Sequence, residues 1–186
     1  VYLAVSQGMA GFQKLRVIKL LRADLGRDAY FVRMFLDEAR LAARLSHPNI
    51  VQTNEVGEVE GRYFIDMEYI EGQSLSVLMK RMQKRQERMP PALAARVVLD
   101  ALAGLQYAHE FADFDGTPLK VVHRDVSPHN MLVRYDGVVI VVDFGIAKTA
   151  MNSVATETGV IKGKVAYMAP EQAAGSHGAD ARVDVF

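Results

Sequence analysis

The densest chemistry in the sequence lies between His123 and Asp143. The run His123-Arg124-Asp125-Val126-Ser127-Pro128-His129-Asn130 sets a carboxylate five residues before a carboxamide. A second carboxylate, in Asp143-Phe144-Gly145, follows thirteen residues beyond Asn130. Amide and carboxylate oxygens presented from neighbouring loops suit Mg²⁺, a hard ion that prefers oxygen ligands. A carboxylate beside them can orient an incoming hydroxyl as its base. Phosphoryl transfer needs little more from a protein than these parts and a cation on the phosphates.

The elements that must position these residues follow from pattern. Val1, Leu3 and Val5 alternate with other residues, Gly8 and Gly11 mark a turn, and Phe12 to Leu21 resumes as a strand, which predicts a hairpin. Asp28 to Leu45 carries Phe31, Met34, Phe35, Leu41 and Leu45 at helical spacing, and Ser46-His47-Pro48-Asn49 ends it. Two strands are expected, near Ile50 to Val56 and Arg62 to Tyr69. Ser74 caps a helix through Met82. Pro90-Pro91 opens a longer helix to His109, with Val97, Val98, Ala101, Leu102 and Leu105 on its buried side. From Val121 to Val142 two short apolar strands are expected to flank the polar loop. Strands first and helices second predict an α+β protein with two segregated lobes.

Composition excludes several function classes. Half of the 186 residues are hydrophobic and 24% are charged, the makeup of a soluble globular unit with a sizeable core. Lys plus Arg, 22, balances Asp plus Glu, 22, so the chain lacks the electrostatic footprint that nucleic acid or an anionic membrane requires. There is no cysteine, which removes disulfides, thiolate zinc sites and thiol nucleophiles and agrees with a cytoplasmic location. No apolar run approaches the roughly 20 residues of a membrane span. Val1 and Phe186 both stand inside a pattern and read as cuts, and the parent chain could be membrane-anchored.

With these motifs in order, the chain resembles the protein kinase family, and more narrowly the eukaryotic-like Ser/Thr protein kinases of bacteria. Val17-Ile18-Lys19 resembles the strand whose lysine pairs with the α- and β-phosphates of ATP, and Glu38 stands where that lysine's ion-pair partner is kept. His47-Pro48-Asn49-Ile50-Val51 matches the segment after that helix. Met67-Glu68-Tyr69-Ile70 resembles the stretch joining the lobes, with Met67 as gatekeeper and the Glu68 and Ile70 backbone facing adenine. Ala169-Pro170-Glu171 resembles the end of the activation segment, and Asp184-Val185-Phe186 the start of the central C-lobe helix.

The resemblance implies a two-lobed protein-kinase-like fold truncated at both ends, with 1–69 as a partial N-lobe lacking the glycine-rich loop and 70–186 as a partial C-lobe. It implies Asp125 as catalytic base with Lys19 and Glu38 in support, Asn130 and Asp143 as metal ligands, and ATP with Mg²⁺, or Mn²⁺ in its place. It also sets Val1, Val17, Met67, Glu68, Ile70 and Leu132 against the nucleotide. The partner is then a protein bearing a Ser or Thr acceptor, with a homodimer as a route to trans-autophosphorylation.

Two positions depart from the family. A lysine is usual two residues after the base and a threonine after the glycine that precedes Ala-Pro-Glu, yet Ser127 and Lys164 stand there. Lys164 is therefore a candidate cation for the γ-phosphate, with Ser127 as its hydrogen-bond partner. Arg124 suggests control by a phosphorylated activation segment, with Thr156 and Thr158 the leading sites and Thr149 and Ser153 secondary ones. A pseudokinase is the alternative that Ser127 and Lys164 keep open. A small-molecule kinase is a further one, opposed by Ala169-Pro170-Glu171 and by His47 to Val51. Tyrosine kinases of the family usually carry Ala and Arg after the base, so the pattern favours Ser/Thr acceptors. His47, His109 and His177 have no ligand spacing and read as structural or surface residues, and His123 as a support of the loop.

Overall fold

The computed structural model describes residues 1–22, 26, 28–144, 165–174 and 180–186, without the side chains of Glu38 and Val165. The chain divides into two compact units, Val1–Ser46 with Val51–Ile70, and His47–Ile50 with Glu71–Phe186.

The first unit is a four-stranded antiparallel sheet with one helix. Strands β1 (Tyr2–Gln7), β2 (Gln13–Leu20), β3 (Thr53–Val59) and β4 (Arg62–Glu68) lie in the order β1-β2-β4-β3. The β1–β2 hairpin pairs Tyr2 with Ile18 through Gln7 with Gln13, and its turn places Gly11 at φ 77°, a conformation glycine adopts without steric cost. Helix α1 (Ala29–Arg44) starts where the Asp28 carboxylate accepts the Tyr30 amide at 2.8 Å. Its apolar stripe packs Phe35 and Ala39 on Ile65 of β4, with Leu21, Val56 and Met67 around them. Burying a side chain such as Phe35 stabilises the unit by about 1.5–3 kcal/mol.

The second unit holds a three-stranded sheet and the longer helices. Strands β5 (Gly72–Ser74), β6 (Met131–Arg134) and β7 (Val139–Val141) pair antiparallel in that order. Helix α2 (Leu75–Lys84) is capped by Ser74 as expected. Helix α3 (Pro91–His109) packs on β7, whose three residues are all buried. Buried Asp100 joins the two, accepting Arg96 Nε at 2.8 Å and the Val139 amide at 3.1 Å. Gly104 lets α3 approach the 47–50 segment, since a Cβ there would sit 2.9 Å from the Asn49 carbonyl.

Two expectations need correction. On α3 the buried side runs through Asp100, Ala101, Gly104, Leu105 and Ala108, while Val98 and Leu102 are 54% and 39% exposed. The helix is apolar on more than one face, so periodicity did not single out the buried one. Both short strands follow the polar loop rather than flank it, because residues 121–122 are buried without joining a ladder. Asp184 ends a 3-10 turn, Ala181–Asp184.

Candidate active site

The loop from Val121 to Asn130 belongs to no helix or sheet, so its backbone polar groups must find partners one at a time. His123 is fully buried and supplies two of them. Its Nδ1 accepts the Asp125 amide at 3.2 Å and its Nε2 donates to the Val142 carbonyl at 3.0 Å. Those roles put the single ring proton on Nε2. The ring also packs against Phe144, with centroids 4.7 Å apart. One side chain thereby ties Asp125 to the backbone just before Asp143.

Asp125 and Asn130 are brought together. Asn130 is buried, and its Nδ2 donates to the Asp125 carbonyl at 2.8 Å and to Asp125 Oδ2 at 2.7 Å. Both amide hydrogens are thus committed to Asp125, and Oδ1 is the Asn130 atom presented to a cation. The Val142 amide in turn donates to the Asn130 carbonyl at 2.9 Å, which fixes the chain on which Asp143 follows. Carboxamide and carboxylate oxygens fit Mg²⁺ or Mn²⁺ by donor chemistry. Arg124 and Asp143 have φ of 62° and 60°, left-handed conformations that cost non-glycine residues of order 1–3 kcal/mol each. Such backbone persists only where its surroundings over-determine it.

For Arg124 those surroundings are explicit. Asp184, with no side-chain exposure, accepts the His123 amide at 2.7 Å and the Arg124 amide at 2.6 Å, and also pairs with His109 Nε2 at 2.8 Å. From the other side Gln172 Nε2 donates to the Arg124 carbonyl at 3.0 Å. Gln172 lies on a short helix, α4 (Pro170–Ala173), and its Oε1 accepts the Ala169 amide at 3.2 Å. The turn bearing Asp184 has its own cap at Asp180. Its hydrogen bonds from Arg182, the side-chain one foremost, hold the Asp180 carboxyl below the usual aspartate range.

Sequence reasoning read Asp184 only as the start of a helix and His109 as a structural or surface residue, and it did not single out Gln172. Two signals were available: an acid between Val183 and Val185, and a glutamine three residues after Ala169 where Pro170 opens a helix. Ser127 is 3% exposed and its hydroxyl has no hydrogen-bond partner among the described residues.

Other expected residues lie elsewhere. In the first unit Lys19 pairs with Ile65 and Val17 with Leu3 and Met67 in the sheet. Glu68 on β4 is pinned to Gln52, its amide donating to the Gln52 carbonyl at 2.9 Å and its Oε1 accepting the Gln52 amide at 2.8 Å. Ile70 is buried, Val1 is 81% exposed, and Glu38 lies on α1 with its side chain outside the described atoms. Leu132 is on β6 of the second unit. Lys164, Thr156, Thr158, Thr149, Ser153 and His177 lie outside the described residues.

A carboxylate hydrogen-bonded to a carboxamide, on an α+β scaffold, suits the chemistry of phosphotransferases. A family model described as the protein kinase domain matches residues 1–186, and the chain belongs to that family. It is 48% identical over 186 residues to the tyrosine-protein kinase MasK of Myxococcus xanthus, covering all of this chain and 29% of the relative. It is 37% identical over 158 residues to the serine/threonine-protein kinase PrkC of Bacillus subtilis, covering 85% of this chain and 22% of that one. Among solved structures, the PknI kinase domain of Mycobacterium tuberculosis matches with a TM-score of 0.65 at 29% identity, over 98% of this chain and 63% of that one. Among the described residues no helix is long and apolar enough to cross a membrane.

Proposed function

We infer that this protein kinase domain transfers the γ-phosphoryl group of ATP to a Ser or Thr hydroxyl of a protein, with Asp125 as base. The observation that carries this is the Asp125–Asn130 pair, held by a loop whose Arg124 and Asp125 amides and Asp125 carbonyl are each hydrogen-bonded. The acceptor oxygen bonds to the γ-phosphorus as the bond from that phosphorus to the β–γ bridging oxygen breaks. ADP leaves with the electron pair, and the hydroxyl proton passes to the Asp125 carboxylate. A divalent cation held by Asn130 and Asp143 would neutralise charge on the phosphate oxygens.

By resemblance Lys19, supported by Glu38, takes the α- and β-phosphates, and Val1, Val17, Met67, Glu68, Ile70 and Leu132 take the nucleoside. Lys164 is the cation at the γ-phosphate in place of the usual loop lysine. The buried, unpartnered Ser127 hydroxyl supports a polar partner arriving at that spot. Phosphorylation of Thr156 or Thr158 regulates the enzyme, and two copies of the protein would supply it in trans.

A second acceptor class is favoured by one observation: the relative at 48% identity is named a tyrosine-protein kinase. Both acceptors are tested together. In the full-length protein, Asp125→Asn should lower turnover of labelled ATP on Ser, Thr and Tyr peptides by about 10²–10⁴-fold, the usual contribution of a general base. Wild-type turnover by that variant would sink the assignment of the base. Phosphotyrosine as the sole product would replace Ser/Thr by Tyr. An unchanged kcat in Lys164→Ala would remove Lys164 from the site.

A further inference from the structure

The left-handed Arg124 is the residue whose backbone aims Asp125, and it is gripped at both ends of its own unit. Asp184 holds the amide and Gln172 holds the carbonyl. Asp184 is braced by His109 within the buried interior. Gln172 differs from it, being half-buried and carried on a four-residue helix, 48 residues along the chain from Arg124. Its carboxamide has two ends with two separable tasks. Oε1 caps α4 through the Ala169 amide, and Nε2 restrains the Arg124 carbonyl.

We propose that Gln172 is a positioning residue for phosphoryl transfer: its Nε2 fixes the Arg124 peptide and so the direction of the Asp125 carboxylate. The inference rests on Asp125 being the base, as argued above. A carbonyl relieved of its donor lets the 124–125 peptide relax from its left-handed conformation, which swings the following side chain. Shifts on the order of 1 Å at a reacting group cost about 10²-fold in rate. The same bond couples α4 to the loop, so displacement of the segment around Ala169–Gln172 is felt at Asp125 without any contact to substrate.

The two ends of the carboxamide make the test selective. In the full-length protein, Gln172→Glu retains an acceptor for the Ala169 amide but opposes an oxygen to the Arg124 carbonyl, whereas Gln172→Met removes both bonds at similar length. Gln172→Glu should lower kcat by about tenfold or more, with KM for ATP within about twofold and the melting temperature near wild type, the split expected when an interaction is lost only in the transition state. Gln172→Met should lose the same kcat and some stability as well. Amide hydrogen exchange at residues 123–125 should speed up in both variants. Wild-type kcat in Gln172→Glu overturns the proposal, as does a kcat loss that only follows loss of folded protein. An inactive wild type would refute the phosphotransfer assignment instead, and unchanged exchange at 123–125 would then overturn the brace.

Discussion

The catalytic loop and the β1–β2 hairpin solve the problem of holding a short segment in opposite ways. The hairpin is held by its ladder: six residue pairs in regular register, with Tyr2, Leu3, Val5, Met9, Phe12 and Leu15 exposed. No single side chain there decides the backbone, because every strand residue contributes the same two groups. The loop has no ladder. His123, Asn130 and the distant Asp184 and Gln172 each satisfy named backbone atoms, mostly out of water. Irregular backbone can take conformations that aim a carboxylate, such as φ 62° at Arg124, but each must be maintained by a specific partner. Substitutions in the two segments should therefore differ sharply in cost.

The largest effect is expected at Asp184. Asp184→Ala orphans the His123 and Arg124 amides and the His109 ring donor in a buried place. At about 1–3 kcal/mol for each of these three donors, unfolding free energy should fall by about 3–9 kcal/mol. Urea denaturation of the full-length protein measures it. A loss under about 1 kcal/mol would mean the loop is held by something other than these bonds, and the contrast with the hairpin would collapse.

A smaller effect, with the opposite sign, sharpens the contrast inside the loop. Ser127 is more buried than Val126 and Pro128 beside it, yet its hydroxyl has no partner among the described residues. Removing an unsatisfied buried group restores its desolvation cost, so Ser127→Ala should leave stability unchanged or raise it by up to about 1 kcal/mol. A clear destabilisation by Ser127→Ala would show instead that the hydroxyl is bonded in solution.

The same distinction governs what the sequence disclosed. Asp125, Asn130 and Asp143 were legible because their mutual spacing is local and the chemistry proposed for them restricts residue type. The hairpin, α1 and α2 were legible because Gly8, Gly11, Asp28 and Ser74 act within a few residues of themselves. The role of Asp184 was not, since the amides it accepts lie 60 and 61 residues away and an acid between Val183 and Val185 does not identify them. Gln172 escaped for the same reason, with Arg124 48 residues distant. The buried face of α3 was misjudged because Val98, Leu99 and Leu102 are as apolar as the residues that face β7. Periodicity reports a stripe only where another face is polar.

The smallest expected effect tests the hairpin directly. Val5 and Leu15 are directly opposite each other across β1 and β2, and both are exposed. Cross-strand apolar pairs contribute about 0.2–1 kcal/mol, and threonine has the β-branched shape that suits a pleated surface. Val5→Thr and Leu15→Thr should each change unfolding free energy by no more than about 0.5 kcal/mol, as exposed substitutions usually do. In a double-mutant cycle their coupling should stay below about 1 kcal/mol. A coupling of several kcal/mol would show that this pair, and not the ladder, carries the hairpin. It would then depend on individual side chains just as the loop around Asp125 does.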